Sequence, residues 1–195
     1  PLLADVNANK ANFAPHVYLN KLDISGCPLL GGNLIVSNSP LLQEIDIRGT
    51  AITGLNLPSN LRNLKELKLP AAIPNLTLND AGQLHTIIFE NEAQLQNISM
   101  TNCNALVNVE NFNIENASSV TLNNSYNSVQ ELYFRDTTNL SLSNMPNLER
   151  IIYTPNDEYA VFNRDYLATK PDYTISVFNV PKCTEFIITA PQRLS

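Results

Sequence analysis

With 195 residues, 44% of them hydrophobic, the chain can bury a continuous core as one elongated domain and needs no second. Its net charge of −6, with twelve scattered basic residues against eighteen acidic ones, argues against nucleic-acid binding by phosphate neutralisation. No apolar run approaches the roughly 18 residues of a membrane span, so membrane insertion is not expected. The sequence shows no signal peptide, but the opening Pro1-Leu2-Leu3 lacks an initiating Met and reads as a processed form or an excised piece, which leaves a lost signal or a preceding domain open.

Residues 1–18 are weakly patterned and read as an N-terminal cap or linker, with Phe13, Val17 and Leu19 placed to close the first turn. From residue 19 to residue 155 two apolar pulses alternate. One set, termed A, is Ile24, Ile47, Leu69, Phe89, Ile114, Phe134 and Tyr153; a second, termed B, falls between them at Val36, Leu57, Leu78, Met100, Leu122 and Leu142. Around each pulse the text alternates with period two, as in KLDI, EIDI and ELKL for A and NLTL, NISM and SVTL for B. That is the period of a strand, not of a helix. Two strands per period of about 21 to 22 residues leave no room for a crossover helix, so each period is one solenoid turn with two corners. Leu22, Ile45, Leu67, Ile87, Phe112, Leu132 and Ile151 are the expected inward residues of sheet A.

The corners carry their own signature. Gly26, Asn38, Gly49, Ser59, Ala71, Asp80, Asn91, Asn102, Asn116, Asn124, Asp136, Asn144 and Pro155 stand two residues after the pulses. Most are Gly, Asn or Asp, which tolerate a left-handed backbone. Small residues such as Cys27, Thr50, Cys103 and Ser125 follow, suited to tucking beneath the strand and meeting buried amides. After Tyr153 the rhythm stops. Asn156 or Asp157 is the candidate cap of a helix through about Ala168, and two strands are expected near Tyr173–Val180 and Glu185–Thr189. Residues 156–195 therefore read as a small α+β cap that shields the exposed end of the solenoid.

The A units, LNKLDISGC from Leu19, LQEIDIRGT from Leu42, LHTIIFENE from Leu84, VQELYFRDT from Val129 and LERIIYTPN from Leu148, resemble the leucine-rich repeat family in its L-x-x-L-x-L-x-x-N/C core. The resemblance covers about Leu19 to Tyr153 and is nearest the divergent, irregular bacterial or bacteriophage type, since the B half-turn is a strand where many relatives carry a helix. It implies a mainly β, right-handed solenoid with two parallel sheets, in which sheet A is the usual partner-binding surface.

Catalytic and metal chemistry find little support. His16 and His85 are too few and too far apart for a metal site or an acid–base pair. Asp23 with Asp46, and Glu44 with Glu66, should stack in adjacent turns, as a calcium site or a glycan-cleaving carboxylate pair would require. Lys21, Arg48 and Lys68 are interleaved with them, so a solvated charge ladder is the better reading. No nucleophile elbow, zinc-protease, phosphate-loop or Cys/His arrangement is present, and no cofactor, metal or catalytic residue is assigned. Cys27 and Cys103 should sit on the order of 17 Å apart, too far for a disulfide. The five N-x-S/T matches, at Asn75, Asn97, Asn116, Asn123 and Asn139, are accounted for by corners and strand starts.

Surface remains. The outward row of sheet B, Ile35, Asn56, Thr77, Ser99, Thr121 and Ser141, is short and polar and offers little grip. Sheet A is rougher, and Glu131, Tyr133, Arg135, Arg150 and Ile152, with Ile88, are the candidate binding residues. The competing reading has Tyr133 and Ile152 covered by the C-terminal segment. The expectation is a non-catalytic module that binds a protein or a surface glycan, at a cell surface, in the extracellular space or on a virion. A structural or adhesive part of a larger assembly is the second reading, and a glycan-active solenoid enzyme a distant third.

Overall fold

The computed structural model describes residues 10–13, 18–36, 39–59, 61–114, 117–135, 137–154 and 174–188. In chain order its strands are β1 (Lys10–Phe13), β2 (Lys21–Asp23), β3 (Gly31–Val36), β4 (Glu44–Asp46), β5 (Ala51–Asn56), β6 (Glu66–Leu69), β7 (Asn75–Asn79) and β8 (Thr86–Gln94). They continue with β9 (Asn97–Thr101), β10 (Asn108–Asn113), β11 (Ser119–Asn123), β12 (Glu131–Arg135), β13 (Asn139–Ser143), β14 (Arg150–Thr154), β15 (Thr174–Phe178) and β16 (Glu185–Ile188). Even-numbered strands stack on one face, A, and odd-numbered strands on the other, B, every pair parallel. The result is a mainly β, right-handed solenoid of about six turns, with no helix among the described residues.

Alternation explains the core. In β6 the inward Leu67 and Leu69 are fully buried while Glu66 and Lys68 face out. Register carries this from turn to turn: Leu22, Ile45, Leu67 and Ile87 form one inward column on face A, and Leu76, Ile98, Val120 and Leu140 form another on face B. All eight are buried; apart from Leu22 and Leu76, on the end strands of their sheets, each has a ladder neighbour on both sides, and all lose nearly their whole surface to the core.

The corners follow residue chemistry. Gly26, Gly49, Asp80, Asn102, Asn124 and Asn144 all have left-handed φ, between 47° and 67°. On face B their side chains form a ladder: Asn102 Nδ2 donates to Asp80 Oδ1 at 2.7 Å, Asn124 Nδ2 to Asn102 Oδ1 at 3.1 Å, and Asn179 Nδ2 to Asn144 Oδ1 at 2.7 Å. Only some of the small residues that follow meet buried backbone, since the Ser39 and Thr137 hydroxyls are buried with no hydrogen-bond partner among the described residues. Thr50 Oγ1 donates to the Ile47 carbonyl, and Ser125 Oγ accepts the Cys103 N–H while donating to the Asn123 carbonyl. Ser59 and Ala71 turn without left-handed φ, and Asn91 makes no corner because β8 runs on through it.

Three departures from the expected repeat matter. Face A shifts register at β10: Asn108, Val109 and Glu110 pair with Thr86, Ile87 and Ile88, three residues earlier than the apolar pulse suggests. Asn111 then bulges at φ 55° and donates its Nδ2 to the Phe89 carbonyl at 2.8 Å. Phe112 is consequently half-buried, not buried, and stacks on Phe89 with ring centroids 5.9 Å apart.

Second, among the described residues each face is broken once, next to a strand pair whose register is irregular. The β3–β5 pair skips Thr53, and β5 does not ladder with β7; the β8–β10 pair skips Asn111 of β10 and the four residues 89–92 of β8, and β10 does not ladder with β12. A bulge bends its strand and raises the local twist, which turns the next edge away.

Third, the two strands expected in the C-terminal segment extend both ladders. Leu140 pairs with Ile175, and Ile151 with Phe186, so β15 and β16 make a further turn after a 35-residue step. The helix expected from Asn156 to about Ala168 lies outside the described residues.

Candidate functional site

Face A divides by what it points outward. On β2, β4 and β6 the outward residues are an ion ladder that satisfies itself. Lys68 Nζ lies 3.1 Å from Glu44 Oε1 and 3.2 Å from Glu66 Oε2, and Lys21 Nζ sits 3.1 Å from the same Glu44 oxygen. Arg48 grips Asp46 through Nε and Nη2 at 3.0 and 2.7 Å, and Glu90 reaches back to accept the Gly49 N–H at 2.8 Å. Glu44 and Glu66 oppose each other directly across the ladder, and the cation between them removes that repulsion.

Proton affinities follow the partners. Hydrogen bonds from Lys21 and Lys68 hold the Glu44 carboxyl below its ordinary range, and the Ser25 hydroxyl and N–H do the same for Asp23. Burial pushes Asp46 up, but the Arg48 side chain and N–H outweigh it and leave the net shift downward. Each of these carboxylates is engaged by a cationic side chain.

On β12, β14 and β16 the outward residues differ in kind. Tyr133, Ile152 and Ile187 stand side by side in register as an apolar row, with Tyr133 51% exposed and the two isoleucines half-buried. Beside it runs a second row, Glu131, Arg150 and Glu185. Arg150 Nη1 lies 3.2 Å from Glu131 Oε2 and Nε 2.8 Å from Glu185 Oε2, which fixes the guanidinium between two carboxylates. The Glu131 hydrogen bond, then the nearby Glu185 charge, raise the Arg150 pKa further. Arg135 is exposed on the opposite flank, paired in register with Thr154.

Of the six residues singled out in the sequence, the structure brings Glu131, Tyr133, Arg135, Arg150 and Ile152 onto one three-stranded platform. Ile88 stands apart, half-buried between Lys68 and Glu110, on the other side of the break that follows β10. Tyr133 is half exposed and Ile152 half-buried, and most of the C-terminal segment that the competing reading lays over them, residues 155–173 and 189–195, lies outside the described residues. Two platform residues, Glu185 and Ile187, escaped the sequence reading. Their signal was the text EFII, whose charged, inward, outward, inward order matches RIIY of β14. The 35-residue step hid it.

His85 is exposed, with Nδ1 2.9 Å from Thr86 Oγ1. Cys27, Cys103 and Cys183 are free thiols, and burial pushes the Cys103 thiol up. Among the described residues no group of three or more His, Cys, Asp or Glu is placed to hold a metal ion, and no helix is long and apolar enough to cross a membrane. No protein-family model, curated protein or solved structure matches the chain.

Proposed function

We propose that the chain is a non-catalytic binding module, of the leucine-rich repeat type its A units resemble, that holds a protein partner on the β12–β14–β16 platform. The observation that carries this is the half-exposed Tyr133 ring in register with Ile152 and Ile187, bordered by an ion-paired row. An exposed aromatic beside branched apolar residues and a fixed arginine has the composition of an interface centre with a polar rim. The face A carboxylates support the non-catalytic part of the reading. A general acid needs its pKa raised toward neutrality, whereas Asp23, Glu44 and Asp46 are all held down by engaged partners. The test is retention of a partner by immobilised protein. Wild type and Asp23→Ala should retain it and Tyr133→Ala should not; equal retention by all three removes the platform from the account.

The structural reading, a component of a larger surface or virion assembly, draws on a different observation. Near the C-terminal end Phe178, Phe186 and Ile188 are exposed, and among the described residues β15 and β16 are the last strands of their ladders. Sedimentation across a concentration series separates the readings, because an assembly component should self-associate even when Tyr133 is replaced.

A further inference from the structure

Face B holds a cavity of about 350 Å³ at its break between β5 and β7. Its lining is uncharged and includes Asn56, Asn75, Thr77 and Asn79 together with Leu55 and Leu57. Those two leucines are only half-buried, whereas Leu34 before them and Leu76 and Leu78 after them are buried. Their missing neighbour is a strand.

The main chain indicates what would fill the gap. In a parallel ladder the N–H and C=O of one residue point to the same neighbouring strand, and those of the next residue point to the other. The Pro74 carbonyl accepts from Gln96, and the Asp80 N–H donates to the Thr101 carbonyl, so the even positions of β7 serve β9. Asn75, Thr77 and Asn79 therefore aim their N–H and C=O groups at the break. On the opposite lip, the β3–β5 register turns the Leu55 main chain toward the same space. Two sheet edges of the same strand direction face each other across an uncharged slot.

We infer that this break is a second binding site, separate from the Tyr133 platform and on the opposite face, and that it takes an extended, uncharged peptide segment as an added parallel strand. The segment would bond β7 through its backbone and lower alternate apolar side chains onto Leu55, Leu57 and Leu78, as β9 already does on the other edge of β7. Uncharged walls favour a segment without Lys, Arg, Asp or Glu. The lining holds no aromatic ring against which a sugar could stack, so peptide is favoured over glycan.

The probe is a capped synthetic pentapeptide, NLTLN, a copy of β7, compared with the same peptide carrying N-methyl groups on both leucines. Amide hydrogen exchange of the intact protein, followed residue by residue by NMR, is the readout. With saturating NLTLN the amides of Asn75, Thr77 and Asn79 should exchange about tenfold more slowly or better, and the N-methylated peptide should give no protection. Thr77→Pro removes a donor that β9 does not use, so it should fold and lose the effect, whereas Ser99→Pro, inside the β9–β7 ladder, should disrupt the sheet. The proposal fails if those three amides are already as protected as the β9 amides without peptide, or if both peptides protect equally. It also fails if NLTLN gives no protection, or if a neutral trisaccharide such as maltotriose protects them while NLTLN does not. The wild-type measurement decides even if Thr77→Pro does not fold.

Discussion

The two halves of face A share a backbone and a core and differ in what they show to solvent. On β2–β4–β6 the inward column Leu22, Ile45, Leu67 is capped outside by Lys21, Glu44, Glu66 and Lys68, which are bound to one another. On β12–β14–β16 the inward pair Leu132 and Ile151 is equally buried, but the outward row is Tyr133, Ile152 and Ile187. A solenoid separates the two tasks: inward residues decide whether a turn stacks, and outward residues decide what the turn can hold. A self-paired ladder has its hydrogen-bonding capacity engaged, and an apolar row with a fixed charged border does not.

The shared interior is tested by the largest effects. Leu67→Ala in β6 and Ile151→Ala in β14 should each cost about 2 to 5 kcal/mol in chemical denaturation, since both are fully buried with stacked neighbours. A cost at Ile151 below about 1 kcal/mol would show that the halves are not built alike inside. The differing exteriors come next. Tyr133→Ala should weaken partner binding by more than about 2 kcal/mol while folding stability moves by no more than about 0.5 to 1, and Asp23→Ala should weaken binding by less than about 1. A titration of both variants against the captured partner measures this, and a reversal of the order would move the site to the charged half.

The charged half has its own, smaller signature. Lys68→Met leaves Glu44 and Glu66 facing each other across β4 and β6, at a cost of about 0.5 to 1 kcal/mol at low salt that shrinks in 1 M salt. Smallest is the response to acid. The Glu44 and Asp23 carboxyls are held below their ordinary values of 4.5 and 3.8, so their contribution is complete above those values and drains away as pH falls through the lowered ones. Thermal melting should show wild type losing slightly more stability than Lys68→Met between pH 5 and about pH 3. Equal losses would mean that the ladder is decorative.

How much of this could be read from residues alone depends on whether the signal is local. Strand positions such as Glu66–Leu69 and Asn97–Thr101 were legible because a period of two has one physical meaning when the turns are short. Left-handed corners were legible at Gly49, Asp80 and Asn102 because few residues accept that φ. The shift at β10 was not, because Phe112 is as apolar as an inward residue and only the Asn111 bond to the Phe89 carbonyl selects the alternative. The last turn was hidden by distance along the chain. Glu185 and Ile187 read as strand residues, but nothing local says that they lie beside Arg150 and Ile152. The break beside β7 was illegible for the opposite reason: NLTL looks like any other B strand, and the disturbance lies upstream, in the bulge at Thr53.

The placement of the two breaks has a mechanical consequence. One interrupts face B between β5 and β7, and the other interrupts face A between β10 and β12, so at each height one wall is continuous where the other is cut. Engineers would recognise a beam notched from opposite sides. Such a beam resists pulling along its length, because an unbroken wall always carries the load, yet flexes at each notch, and in opposite senses at the two. Bending should therefore be easiest at these two heights and in opposite senses, and a wedge set into either notch should stiffen that notch alone.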